Sequence, residues 1–153
     1  MNIFVLHESP QMSAQMQCDK HVIKMILETA QMLCTVASVQ GCPTPYRATH
    51  PKHPCTVWAS QSSANWWWLI DHGMALCHEY TRRYNKIHKS QKVIEYCMTL
   101  HLKFPTSTPT PFVQAMPPEY KQQDPVQAYR AYYKGEKSGF ATWKTEAPAW
   151  WRE

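Results

Sequence analysis

The sequence predicts an all-α fold: a compact single domain of several helices, with a short extended N-terminal segment and long proline-rich loops. Three observations lead there. Apolar residues recur at helical spacing, as in Val22, Ile26, Ala30, Leu33 and Ala37. No pair of alternating apolar runs brackets a hairpin turn. Capping residues precede the periodic stretches, while prolines punctuate what lies between them. The 153 residues fit one domain, taken as 1–153, and can bury a real core. With 44% apolar and 18% charged residues, the composition is globular rather than disordered.

Asn2 to Leu6 is a short apolar run, read as a strand-like segment that pins the N-terminus to the body. Ser9 and Pro10 start a short helix, the serine as N-cap and the proline in the first turn. The strongest helix runs from Asp19, read as its N-cap, to Val39, and Gly41 and Pro43 end it. Cys42 to Pro54 is a loop rich in proline, histidine and basic residues. A long helical stretch then covers Thr56 to Tyr84, with Gly73 as a candidate kink or split. Trp66, Trp67 and Trp68 cannot share one face of it, so at least one reaches the surface or a cleft. A short helix is expected over Gln91 to Leu102, and Pro105 to Pro118 reads as a loop packed over the body. Asp124 and Pro125 open a last helix that runs to about Lys134. The tail after Gly135 reads as aromatic and irregular.

Several function classes drop out. No apolar run approaches the roughly 18 residues of a membrane span, and the N-terminus lacks a signal-peptide pattern. The expectation is a cytoplasmic protein without a membrane partner. Six cysteines (18, 34, 42, 55, 77 and 97) form no C-x-x-C pair, which fits free thiols in a reducing compartment. Only four glycines occur, so glycine-rich phosphate loops are absent, as is a Gly-x-Ser-x-Gly elbow. The formal net charge of +5 suits a polyanionic partner, but it serves solubility equally well.

The sharpest candidate for chemistry is Glu28. His21, Lys24, Met25, Glu28, Met32 and Thr35 share one face of the first long helix. A carboxylate buried there would be desolvated, which suits proton transfer near neutral pH. The plainer reading is an ion pair with Lys24 or with a basic residue of another helix. Lys20 and Lys24 add positive charge near the helix N-terminus, where free N–H groups collect anions. A second cluster holds Tyr46, Arg47, His50, Lys52 and His53. Its histidines lack a matching cysteine or carboxylate pair, so no metal site is predicted, and Arg47, Lys52 and a histidine read as phosphate contacts. Basic residues also interleave with aromatics around Arg83 and again from Tyr129 through Arg130 to Lys134. Such runs stack on unpaired bases and grip phosphates, or else fill a small core.

The run Cys18-Asp19-Lys20-His21-Val22, with Glu28 seven residues after the histidine, resembles the Asp-x-His-x6-Glu pattern of the pyrimidine-dimer DNA glycosylase/AP lyase family, the endonuclease V-like proteins. Leu76 to Asn85, Met116 to Lys121 and the aromatic tail, with Tyr132-Tyr133-Lys134-Gly135 and Pro148 to Trp151, are similar to later segments of that family. The resemblance implies a small helical fold acting on double-stranded DNA as a monomer, without a cofactor. It also implies repair-type chemistry: nucleotides flipped from a bent duplex, and an N-terminal amine attacking the anomeric carbon to form a Schiff base. An α-amine has a reference pKa of about 8, so a useful fraction is neutral near pH 7. Asn2 is too large for efficient methionine excision, so the amine would be that of Met1. Glu28 would be the catalytic carboxylate and His21 a helper near the substrate. The resemblance and the basic runs together give Lys20, Lys24, Arg47, Lys52, Arg83, Lys121, Arg130 and Lys134 as nucleic-acid contacts. The family's arginines beside its glutamate correspond to Leu27 and Gln31, so Arg47 or Lys24 would supply that grip. Two other readings stay open. One is a non-catalytic nucleic-acid-binding or phage accessory protein on the same fold, with salt-sensitive binding. The other is a hydrolase using Glu28, histidines and a metal.

Overall fold

The structure is a computed structural model that describes residues 1–152. Among them it is all helical, with no strand. Six α-helices follow in order: α1 (Pro10–Met16), α2 (Asp19–Val39), α3 (Pro54–Ser60), α4 (Ser63–Tyr84), α5 (Gln91–Cys97) and α6 (Pro125–Glu136). Single 3-10 turns form at Pro118–Tyr120 and Ala149–Arg152.

Helix α2 is the central element, and α3, α4 and α5 pack on it. All five residues of its predicted stripe are buried. Length and apolarity would let α2 cross a bilayer (mean hydropathy 1.4), but in this fold that apolar surface faces the core. Its N-cap is Cys18 rather than Asp19. Asp19 instead turns its carboxylate to Arg83 Nη1 at 3.2 Å and accepts from the Lys144 N–H at 3.0 Å.

The expected helix from Thr56 to Tyr84 is two helices. Its break falls at Gln61 and Ser62, where the Ser62 hydroxyl caps α4 by accepting from Asn65 N–H. Gly73 does not interrupt α4; it lets α4 approach α2 and α5 closely. A Cβ there would meet Thr29 Cγ2 at 2.8 Å and Ile94 Cδ1 at 3.0 Å. Of the three tryptophans, Trp66 is buried, Trp68 half-buried and Trp67 exposed. Helix α5 stops at Cys97, short of Leu102. The proline-rich loop packs Phe112, Val113, Ala115 and Met116 against the core.

The N-terminal segment is not a strand. Phe4 takes a left-handed backbone conformation (φ 59°), and side chains rather than a neighbouring strand satisfy the buried peptide groups. Gln17 Nε2 donates to the carbonyls of Ile3 and Phe4, and Ser13 Oγ donates to Phe4 and accepts from Leu6 N–H. Arg130 Nε donates to Leu6 O. A buried chain must place these groups somewhere, and α1 and α6 provide the partners. Ile3, Val5 and Leu6 are thereby held in the core, with the chain end against α2.

Candidate active site

Residues 1–4 run along α2 against its direction, with Met1 at Glu28 and Phe4 at His21. The Met1 amine lies 3.3 Å from Glu28 Oε1, and the Asn2 N–H donates to the same oxygen at 3.2 Å. Both side chains are largely covered, Met1 at 7% and Glu28 at 10% exposure. Glu28 Oε2 lies 3.9 Å from the solvent-exposed Lys24 ammonium. The pair therefore combines an amine that can give up a proton with a carboxylate that can accept one.

The neighbouring residue is tied down more firmly. Asn2 Nδ2 donates to Ala115 O at 2.7 Å. Asn2 Oδ1 accepts from the Ile3 N–H at 2.8 Å and the Tyr129 hydroxyl at 2.8 Å. Cys55 Sγ is 4.0 Å from the same oxygen, and burial pushes its thiol up to about 12. That leaves the thiol protonated and a poor nucleophile beside the amine.

His21 sits about two turns, roughly 10 Å, from Glu28 along α2. It is buried and stacks on Phe4 with ring centroids 4.3 Å apart, and its Nδ1 lies 2.6 Å from the Tyr133 hydroxyl. Burial first, and then the charges of Lys137, Lys24 and Lys20, lower its pKa to about 3. At neutral pH it is an uncharged hydrogen-bonding group. Lys20 also lies over the half-exposed ring of Phe140 (4.7 Å), and Lys137 over Tyr132 (4.8 Å) and Phe4 (5.5 Å). Three lysines, Lys20, Lys24 and Lys137, thus lie near His21, two of them over aromatic rings. Lys137 lies one residue beyond α6, outside the basic-aromatic run from Tyr129 to Lys134, so the sequence pattern does not single it out.

Other predicted contacts fall in different places. Arg47 is exposed and lines a depression of about 640 Å³ together with Leu27 and Gln31. It therefore faces the α2 positions on either side of Glu28. Lys52 is exposed in the loop before α3, and Lys121 is exposed after the 3-10 turn at Pro118–Tyr120. Arg130 and Lys134 line a separate depression with Gln122, Gln127 and Trp150, on a stripe of α6 offset from Tyr129 and Tyr133.

Arg83 corrects the sequence reading. Its side chain is fully buried, and its guanidinium bonds Glu79, Asp19 and the carbonyls of Gln15 and Gln17. It joins α1, α2 and α4 and offers nothing to a phosphate. The same saturation would not show in sequence, because its partners come from three separate segments. Among the described residues no group of three or more His, Cys, Asp or Glu could hold a metal ion.

A family model described as pyrimidine dimer DNA glycosylase matches residues 1–92, a span that contains Met1, His21, Glu28, Arg47 and Lys52. No curated protein and no solved structure matches the chain.

Proposed function

The chain belongs to the pyrimidine dimer DNA glycosylase family, which makes its function DNA glycosylase-type and DNA its substrate; within that family we propose that it works as a glycosylase and AP lyase through an imine on Met1. The observation that carries this reading is the Met1 amine held 3.3 Å from the Glu28 carboxylate. Neutral amine nitrogen attacks C1′ of a damaged nucleotide flipped out of the duplex. The glycosidic bond breaks, and its electron pair leaves with the base, which takes up a proton. The nitrogen loses its own protons as C1′ becomes an imine and the C1′–O4′ bond opens. Glu28, next to that nitrogen, accepts a proton from the amine and returns one to O4′. Loss of a C2′ proton then expels the 3′ phosphate by β-elimination and cuts the strand, and water frees the enzyme from the imine.

The basic residues supply the rest. Lys20, Lys24 and Lys137 lie near neutral His21, Arg47 lies beside Leu27, and Lys52 is exposed further along the same loop. Phosphate contacts from these groups would hold double-stranded DNA across α2, with the protein acting as a monomer.

Borohydride reduction in the presence of duplexes carrying an abasic site, UV lesions or no damage tests the proposal. A covalent adduct that is lost when Glu28 becomes Gln, or when the N-terminus is extended by one residue, supports it. No adduct from folded protein on any duplex contradicts it and leaves binding without chemistry.

A further inference from the structure

Three of the large apolar side chains left exposed belong to one stretch of surface beside Glu28. Ile23 and Leu27 stand four residues apart on α2, so they share one face, and each is 41% exposed. Leu27 immediately precedes Glu28, which puts that face roughly 100° round the helix from the carboxylate. The third is Ile87, 75% exposed in the loop between α4 and α5. His88, the next residue, ties that loop to α2. Its Nδ1 accepts from the Ser90 N–H at 3.1 Å, so a neutral ring carries its proton on Nε2, which donates to the Ile23 carbonyl at 3.0 Å. The rest of the loop is also fixed. Asn85 caps α4 in the left-handed conformation (φ 54°), its N–H donating to Thr81 O at 2.8 Å. The Tyr80 ring meets the His88 ring edge-on, 5.0 Å between centroids, and Gln91 N–H donates to His88 O at 3.1 Å. A side chain carried on an ordered loop loses little entropy when a partner covers it.

Charge says what that partner is. Lys20 and Lys24 stand three residues before Ile23 and Leu27 on α2, and Lys86 and Lys89 bracket Ile87 and His88. Arg47 lines the depression beside Leu27. All five are exposed, and among the described residues only Lys24 has a carboxylate within ion-pair distance, Glu28 at 3.9 Å. An apolar patch bordered by cations repels a second copy of this chain and suits a polyanion with an apolar interior. DNA is such a partner, and proteins kink it by inserting aliphatic side chains between base steps from the minor groove.

We propose that Ile87 is a wedge that enters the minor groove and kinks the duplex beside the damaged nucleotide, with Ile23 and Leu27 as the apolar floor behind it. The inference rests on DNA being the substrate and not on the imine. A kink at that place weakens the stacking that otherwise keeps the damaged nucleotide inside the helix.

Ile87→Ser removes the wedge without changing a charge. The probe is a duplex with a tetrahydrofuran abasic analogue, dye-labelled at both ends so that energy transfer reads the bend. Affinity should fall roughly 10-fold, as for the loss of one buried aliphatic side chain. The bend should shrink, and the slope of log affinity against log salt should stay as it is. Lys86→Ala should do the reverse, lowering the slope by about 0.9 and keeping the bend. Weaker binding together with a smaller bend in Ile87→Ser supports the wedge. Unchanged affinity overturns it, as does weaker binding with an unchanged bend, or a duplex that the native protein leaves straight. Self-association that is lost in Ile87→Ser while DNA binding stays intact, read by analytical ultracentrifugation, overturns it in favour of a second copy at this face. If the native protein traps on no duplex under borohydride, the imine reading fails alone, and affinity and bend still decide. Should Ile87→Ser not fold, Leu27→Ser repeats the test from the α2 side, with the same outcomes.

Discussion

Two buried ion clusters are built on α2, and they are bonded very differently. At its start, Arg83 is sealed from solvent and spends its donors on two carboxylates and two carbonyls. Near its middle, Glu28 meets an amine at 3.3 Å and a solvent-exposed lysine at 3.9 Å, with far fewer bonds than Arg83 makes. A saturated cluster holds elements together, and its loss leaves charges stranded. An unsaturated one keeps protons and lone pairs available, which is what proton transfer needs. The first should govern stability and the second chemistry, and each can be broken separately.

The largest effect is expected from Glu28→Gln. Single-turnover trapping on an abasic duplex should fall about 10²- to 10⁴-fold, the usual contribution of a proton-transferring group. The unfolding temperature should fall less than in Arg83→Met, since the amide oxygen still accepts from Asn2 N–H. Next is Arg83→Met, which strands Glu79 and Asp19. It should cost about 3–5 kcal/mol, a drop in Tm of roughly 10 °C by calorimetry for a chain this size. Duplex binding at low temperature should survive it. If Arg83→Met instead weakened binding in protein shown to be folded, the division of labour would be wrong.

Acid sharpens the contrast between the two ends of the segment. His21 by the site and His72 beside Gln17 both have pKa values lowered to about 3, by burial first. Between the ordinary histidine value and 3, the unfolded chain binds protons that the folded chain refuses. Stability is therefore full above about pH 6.5 and falls as pH drops toward 3, by at most about 1.4 kcal/mol per pH unit for each histidine. Urea titrations across that window should show the slope, and His21→Asn should shed its share. The smallest effect belongs to Lys137→Ala. Removing one phosphate contact should weaken duplex binding a few-fold and reduce the slope of log affinity against log salt by about 0.9.

Much of this architecture could be read from sequence where one short window held the whole cause. Ser9-Pro10 and Asp124-Pro125 open α1 and α6 as their capping chemistry dictates, and the stripe from Val22 to Ala37 fixes the core face of α2. The sequence also pointed to Met1 and Glu28 as neighbours, through a resemblance rather than through spacing. What stayed hidden depends on distant partners. Arg83 looks like a basic residue in an aromatic run until Asp19 and the Gln15 and Gln17 carbonyls surround it. His53 looks like one of several loop histidines until its ring caps α3 by accepting from the Cys55 N–H. The gap between α3 and α4 is not legible in the sequence because Gln61 and Ser62 bring no proline or glycine, and the cap shows only as a hydroxyl on Asn65 N–H.

The central claim is that the reacting nitrogen is the N-terminal one. After borohydride trapping on an abasic duplex, the protein can be digested and the adduct located by peptide mass spectrometry. The account predicts the deoxyribose remnant on the α-amine of Met1 in the N-terminal peptide. A remnant on the side chain of Lys24, Lys20 or Lys137, with the Met1 amine unmodified, would contradict it.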